Sequence, residues 1–460
     1  MTDCRVLAGG ETTVVETFAE RLANRCRAAA ADPTLLPMTP TESPTDTHPT
    51  TTAAPSASRT RELAQSFAED LVALRRDLHR EPELGRQLPR TQQRVLAALE
   101  GLDLEISLGE ELTSITAVLR GTKPGGRTGA GRPVVLLRGD MDGLPVVEES
   151  GEDFASTTGE TMHACGHDLH TAGLVGAARI LHAMREEFDG DVVFMFQPAE
   201  EMDGGAEQMI AEGVLDAAGK RADAAYGLHV LAHEIPRGVF TGRPGTLMSA
   251  PDSLTVRFNG AGGHGSAPHT TMDPIPALCE AVTALQTMVT RRFNIWDPVV
   301  VTVGRIAGGT KENIIPDSAE FNATIRSFSR ESRALLAELV VPLMEGVAAA
   351  HGLESEVTMR NVYPLTVNNP DEHAFMAETV AEVFGEDRFA LKPTPDAGAE
   401  DFSFVLDEVP GTYLFLGACA TGDPANAPSN HSPLARFDDS VLPDGAALLA
   451  ELAVRRINRG

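Results

Sequence analysis

Apolar positions recur at helical spacing over residues 62–80, where Leu63, Phe67, Leu71, Leu74 and Leu78 share one face and the pattern stops at Glu81-Pro82. Beyond it the pattern switches to unbroken apolar runs ending in polar residues. PVVLLRGDMD (133–142), DVVFMFQ (191–197) and ADAAYGLHV (222–230) read as buried strands. Helical stretches over 168–188 and 205–212 alternate with them. That alternation predicts an α/β domain: an open mixed sheet with helices on both faces. Between residues 250 and 365 the texture changes. SLTVRFNG, a helix over 274–291, VVVTVGRIAGG, SAEFNATIRSFS, a helix over 331–351 and a strand over 355–362 follow one another. This β-α-β-β-α-β order predicts an inserted, ferredoxin-like α+β domain.

The catalytic domain is thus expected in two parts, 61–249 and 366–460, around an insert at 250–365. Residues 33–60 are rich in Pro, Thr, Ser and Ala and almost free of large apolar groups. Such a segment buries too little surface to offset its ordering entropy, so residues 1–60 are expected to be a disordered N-terminal extension, with a short helix at 11–30.

Composition narrows the partners. With 38 basic against 66 acidic residues the formal charge is −28, which argues against nucleic acid or an anionic membrane surface. The five cysteines (Cys4, Cys26, Cys165, Cys279, Cys419) are odd in number and scattered, so they form no disulfide framework. No apolar run approaches bilayer length, and the N-terminus lacks a basic region followed by an apolar one. A soluble cytoplasmic protein is expected.

The polar residues that end the buried runs carry the candidate chemistry. Asp140 and Asp142, Glu200 and Glu201, and His229 fall at or just past predicted strand ends, the edge where sites assemble in open α/β sheets. Cys165-Gly166-His167-Asp168 places a thiol and an imidazole two residues apart, and both can face one ion. Thiolate and neutral imidazole suit a borderline divalent metal such as Zn²⁺, Mn²⁺, Co²⁺ or Ni²⁺. Together with Glu200-Glu201, His229 and Asn430-His431, they draw a cluster from four separate segments. Such dispersal reads as a catalytic metal site and argues against a structural zinc protein, whose ligands come in compact pairs. Adjacent carboxylates on a turn do not easily face one ion together, so Glu201 is expected to ligate and Glu200 to act as general base. On FNATIRSF the alternation puts Asn322, Thr324 and Arg326 on one face. There Arg326 could grip a substrate carboxylate with both arms.

The motifs LHREPELG, RGDMDGLP, MHACGHD, QPAEE, GLHV, GGHGSAPH, ENIIPD, AEDFSF and NHSP stand in this order from residue 62 to 458. In that order they resemble the aminoacylase/carboxypeptidase superfamily of metal-dependent amidohydrolases, in the branch of hippurate hydrolases, N-acyl-amino-acid amidohydrolases and auxin-conjugate hydrolases. The resemblance implies a zinc-exopeptidase-like catalytic domain with an inserted dimerisation or lid domain. It implies two divalent ions per subunit held by Cys165, His167, Glu201, His229 and His431, with Cys165 bridging them or close to both. Relatives outside the branch carry an aspartate where Cys165 stands. Asp142 becomes the acid that orients the centre. His264 reaches into a partner subunit's site to stabilise the oxyanion, and Asn313 helps orient the substrate carbonyl. His163 and Asp168 are expected to support the site without a catalytic role, and His170 could equally be no more than part of a helix's first turn.

The resemblance also implies that a metal-activated water hydrolyses the amide of an N-acyl amino acid, hippurate-like or N-acetyl. A dipeptidase or carboxypeptidase of the same superfamily is the alternative within the class, and a catalytically inactive binding relative the alternative outside it. A homodimer through the insert is expected, with a small-molecule substrate as the other partner. Some positions depart from the pattern: Gly265 and Ser266 follow His264, GLHVLAHEIPRG lacks a usual proline, and Ala397 and Ala399 stand where Met and Ser are frequent. None of these is a ligand, so they bear on substrate detail.

Overall fold

The computed structural model describes residues 58–202 and 204–459. The expected extension, with its helix at 11–30, lies outside the described residues as far as residue 57. The described residues start slightly before residue 61: the first helix among them begins at Arg59, and Thr60 is buried with its hydroxyl on Glu451 at 2.6 Å.

In chain order the helices are α1 Arg59–Ser66, α2 Ala68–Arg80, α3 Pro89–Ala98, α4 His167–Ala183, α5 Gly205–Ala211, α6 Pro274–Arg292, α7 Arg330–Ala350, α8 Pro370–Phe384, α9 Ser403–Glu408 and α10 Leu442–Arg459. The strands are β1 Glu105–Leu108, β2 Ile115–Arg120, β3 Val134–Asp140, β4 Asp191–Gln197, β5 Ala224–Leu231, β6 Phe240–Gly242, β7 Gly245–Met248 and β8 Ala250–Asn259. They continue with β9 Gly263–His264, β10 Val299–Gly308, β11 Ile314–Ile315, β12 Ser318–Ser327, β13 Glu354–Asn361, β14 Thr366–Asn368, β15 Phe389–Leu391 and β16 Gly411–Gly417. The helix expected over 62–80 is broken at Phe67 into α1 and α2.

Eight strands in the order β1-β2-β4-β3-β5-β16-β6-β15 make the main sheet. Its centre, β4-β3-β5-β16, is parallel, and the β1–β2 hairpin extends it antiparallel. Alternation along β3 sends Val135 and Leu137 into one apolar cluster and Val134 and Leu136 into another. The first cluster is covered by α1, α2, α4, α8 and α10, the second by α5 and α9. Burial on both faces is why these strands read as continuous apolar runs. Because β3, β4 and β5 run parallel, their C-terminal ends meet at one edge, which carries Asp140, Gln197 and His229 with the turns that follow.

The insert has a separate four-stranded antiparallel sheet, β10-β12-β8-β13, the strand order of a ferredoxin-like fold. Its helices α6 and α7 cover one face, where Phe258 and Phe321 are fully buried. Each such ring supplies about 1.5–3 kcal/mol. The chain leaves and re-enters the main body along a two-stranded antiparallel ribbon, β7 against β14.

Candidate metal centre

Backbone shape places the ligand-type side chains. Gly166 has φ +87°, and a Cβ there would stand 2.4 Å from Val230 Cγ2, so the turn between Cys165 and the start of α4 needs glycine. His431 also adopts a left-handed conformation, φ +68°, with its amide on the Ala164 carbonyl at 2.8 Å. Asn430 fastens three segments: its Nδ2 donates to the carbonyls of Cys165 (3.2 Å) and Val230 (3.0 Å), and its Oδ1 accepts from Ala232 N (2.9 Å).

Cys165 Sγ sits 3.3 Å from His229 Nε2 and 3.2 Å from His431 Nε2. Glu201 Oε1 lies 3.2 Å from His431 Nε2 and 3.9 Å from His167 Nε2. Two groups of donors therefore share the thiol: Cys165 with His167 and His229, and Cys165 with Glu201 and His431, the atoms of each within 4.8 Å of one another. His229 donates Nδ1–H to the Val230 carbonyl at 2.8 Å, which leaves its Nε2 lone pair facing the cluster. Among the described residues, both ring nitrogens of His167 are buried without a hydrogen-bond partner. An unpaired buried group costs about 1–3 kcal/mol, and divalent cations would satisfy these. The mixed sulfur, nitrogen and oxygen set fits such ions.

Glu200, 6% exposed, brings its carboxylate within the same 4.8 Å spacing of His167 and Glu201. Asp142 accepts the amides of Glu200 and Glu201, both at 3.1 Å, and lies 3.5 Å from His167 Nδ1. Burial, with Glu400, Glu201 and Asp401 nearby, pushes the Glu200 carboxyl well above its usual range. Burial and Glu201 raise the Cys165 thiol. Bonds to Cys165 and Glu201 push the His431 imidazole up to about 10. Ligands bind deprotonated, so cation binding here releases protons.

The turn from Gln197 to Gly205 is compact. At Gly205 a Cβ would lie 1.8 Å from the Pro198 carbonyl oxygen, a backbone atom that cannot swing aside. Gly205→Ala is expected to cost about 2 kcal/mol in urea unfolding and to lower turnover by displacing the adjacent acids; wild-type stability would contradict it.

Other groups near the cluster are committed elsewhere. His170 accepts Val230 N–H on Nε2 (2.8 Å) and donates Nδ1–H to Asp140 (2.5 Å), so it is not free to ligate. It holds the strand end that carries His229, a role beyond the helix position expected of it. Buried Arg138 bonds Asp140, Glu400 Oε1 (2.7 Å), Asp401 Oδ1 (2.8 Å) and Gln197 Oε1 (2.9 Å). Asp401 also accepts Ala206 N at 3.0 Å, clamping the far end of the Glu200 turn. AEDFSF was the available signal for Glu400 and Asp401, but nothing in it says which side chains they meet.

Behind the start of α4, Asp168 takes Arg75 Nε at 2.7 Å and His79 Nδ1 at 2.8 Å, and His79 Nε2 lies 3.1 Å from Glu148. His163 is buried beside them with both ring nitrogens unpartnered. Burial alone would raise the Glu148 carboxyl, but bonds from His79, Ser150 and the Ser156 amide outweigh it and hold it at about 2, against 4.5 ordinarily. A depressed carboxyl stabilises the fold above pH 4.5 and loses that contribution as pH falls toward 2. Between pH 5 and pH 3, Tm should therefore fall more steeply in wild type than in Glu148→Gln; parallel slopes would contradict it.

The residues assigned to the insert stand apart from the cluster. A cleft of about 320 Å³ opens over Cys165, Glu200, Glu201, His229 and His431, with Leu231, Met248 and Phe415 in its wall, and His264, Asn313 and Arg326 do not line it. Arg326 reaches its rim: Nε donates to the Ala397 carbonyl at 3.3 Å, and Nη1 bonds Thr324 Oγ1 and the Ile325 carbonyl. His264 is exposed, on the short β9–β11 ladder beside Asn313, whose carbonyl accepts Gly265 N at 2.9 Å. The Ser266 amide donates to His264 Nδ1 at 3.2 Å, so the neutral ring carries its hydrogen on Nε2.

Comparison with known proteins places these features in context. The family model for peptidase family M20/M25/M40 matches residues 136–455. Thermostable carboxypeptidase 2 of Saccharolobus solfataricus is 37% identical over 393 residues, 85% of this chain and 96% of its own. N-acetylcysteine deacetylase of Bacillus subtilis is 34% identical over 391 residues, 85% of this chain and 97% of its own. The crystal structure of the Bacillus subtilis YXEP protein, a dinuclear metal-binding peptidase of the M20 family, superposes with a TM-score of 0.72 at 30% identity, covering 86% of this chain and 99% of that one.

Proposed function

The chain belongs to peptidase family M20/M25/M40, and from that premise we propose that it hydrolyses the amide bond of an N-acyl amino acid, hippurate-like or N-acetyl, with two divalent cations per chain. The observation that carries this reading is two donor groups sharing the Cys165 thiol beside a buried carboxylate, Glu200, outside both. The relative active on N-acetylcysteine and the dinuclear YXEP neighbour support the same chemistry. Two such cations, when bound, polarise the scissile carbonyl and acidify the attacking water.

Cys165, His167 and His229 would hold one cation, and Cys165, Glu201 and His431 the other. Their mixed donors suit Mn²⁺ or Zn²⁺, with Co²⁺ and Ni²⁺ as further candidates. Glu200 takes the proton from the water and passes it to the leaving amine. Asp142 fixes the Glu200 and Glu201 amides and faces His167. Leu231, Met248 and Phe415 give the cleft an apolar wall for the acyl group. Arg326, held at the rim by Nε on the Ala397 carbonyl, would meet the substrate carboxylate.

His264, with its hydrogen on Nε2, is a donor suited to an oxyanion. Its distance from its own cleft supports service to a second subunit, with Asn313 alongside. The edge strand β10, with Val300 and Ile306 exposed, supports pairing of two inserts into a homodimer. Among the described residues no helix is long and apolar enough to cross a membrane, and the scattered cysteines support a cytoplasmic setting.

The carboxypeptidase relative favours one second reading, cleavage of a peptide's C-terminal residue. Purified protein loaded with Mn²⁺ or Zn²⁺ and assayed on N-acetyl, N-benzoyl and indole-acyl amino acids beside dipeptides separates the two. Turnover of the acyl amino acids is expected. Dipeptide cleavage alone would replace the reading, and no hydrolysis of any would reinstate a binding relative.

A further inference from the structure

Residues 362–365 bring the chain back from the insert, between β13 and β14. Within them Tyr363 donates its hydroxyl hydrogen to the backbone carbonyl of Glu200 at 2.6 Å. Its ring packs edge-on against Phe404, centroids 6.1 Å apart, and lies beside Gly204, where a Cβ would meet Cε1 at 3.6 Å. The Glu200 residue is therefore held from two sides. Asp142, at the end of the sheet, takes its amide. Tyr363, in the returning hinge, takes its carbonyl.

The turn needs such holding. Ala199, directly before Glu200, has φ +62°, a left-handed conformation that residues other than glycine seldom adopt. Gly204 closes the turn in the same region at φ +66°. A strained turn persists only where its surroundings over-determine it. Tyr363 touches both ends of this one, the carbonyl by its hydroxyl and Gly204 by its ring.

We infer that Tyr363 is a positioning residue for Glu200, a grip on the base supplied by the hinge of the inserted domain. The inference rests on Glu200 being the base. Removal of the hydroxyl frees the Glu200 carbonyl to rotate, which swings the carboxylate away from the cations while Asp142 still secures the amides and the ligand Glu201. The insert's returning hinge thus bears on proton transfer without touching substrate.

Tyr363→Phe deletes only the hydroxyl and keeps the ring against Phe404 and Gly204. With an N-acetyl amino acid as substrate, kcat is expected to fall about tenfold, while KM, bound metal and Tm stay at wild-type values. A kcat within twofold of wild type overturns the inference. So does a loss accompanied by lower metal content or lower Tm, since the hydroxyl would then support the ligands or the fold. Glu200→Gln measured in parallel separates the two claims. If that variant stays active, the assignment of the base fails. If it is inactive while Tyr363→Phe is fully active, only the role of Tyr363 fails.

Discussion

Glu200→Gln is expected to lower kcat by about a thousandfold, within the range lost when a general base is removed, while two divalent cations remain bound per chain. The substitution is nearly isosteric, and the backbone contacts of residue 200, its amide on Asp142 and its carbonyl on Tyr363, do not involve the side chain that changes. The donors of the two ligand groups that share Cys165 are untouched. What disappears is a carboxylate that can accept a proton from water and return it to the amine. The buried surroundings of Glu200, with Glu400, Glu201 and Asp401 near, raise its carboxyl. Metal analysis by mass spectrometry beside steady-state kinetics checks the result: activity within tenfold of wild type would remove Glu200 from the mechanism, and lost metal would make it a ligand.

How far this site was legible depended on what each residue does. Cys165, His167, Glu201, His229 and His431 could be picked out because metal-ligating side-chain types are few and stood in quotable motifs. That they meet around one sulfur was not derivable from spacing, since the four segments are brought together by the parallel order of β3, β4 and β5 and by hydrogen bonds between distant segments, those of Asn430 among them. Strands β3, β4 and β5 were readable because both their faces are buried. Strand β1 was not, since Glu105–Leu108 is exposed along its whole length and carries no clean apolar signal. His170, Asn430 and Tyr363 act through hydrogen bonds to backbone atoms of distant segments. Such bonds leave no periodicity and no characteristic residue pair, so a lone tyrosine in NVYPL looks like any other loop tyrosine. Arg138 reads as part of a buried strand until Glu400 and Asp401 are seen around it.

Cys165→Ala tests the shared thiol, because Sγ is the atom common to both donor groups. Its loss leaves His167 and His229 on one side and Glu201 and His431 on the other, two protein ligands each, where catalytic sites ordinarily keep three. Bound metal is expected to fall from two cations per chain to one or none, and kcat/KM by about a thousandfold or more. The fold should survive, because the polar partners of Sγ are His229, His431 and Asn430, and the Asn430 bond that joins the segments uses the Cys165 carbonyl. Cys165→Asp sharpens the test by placing a carboxylate at the same position. A hard oxygen donor in place of sulfur should restore two cations and shift the preference from Zn²⁺ toward Mn²⁺. The thiol, raised by burial and by Glu201, must also release its proton to ligate, so metal affinity in wild type should rise with pH more steeply than in Cys165→Asp. Titration of the metal-free proteins with Zn²⁺ and Mn²⁺ at two pH values measures all of this. Two cations retained in Cys165→Ala would show that the sulfur is not shared between them, and the donors would then have to be divided into two independent sites.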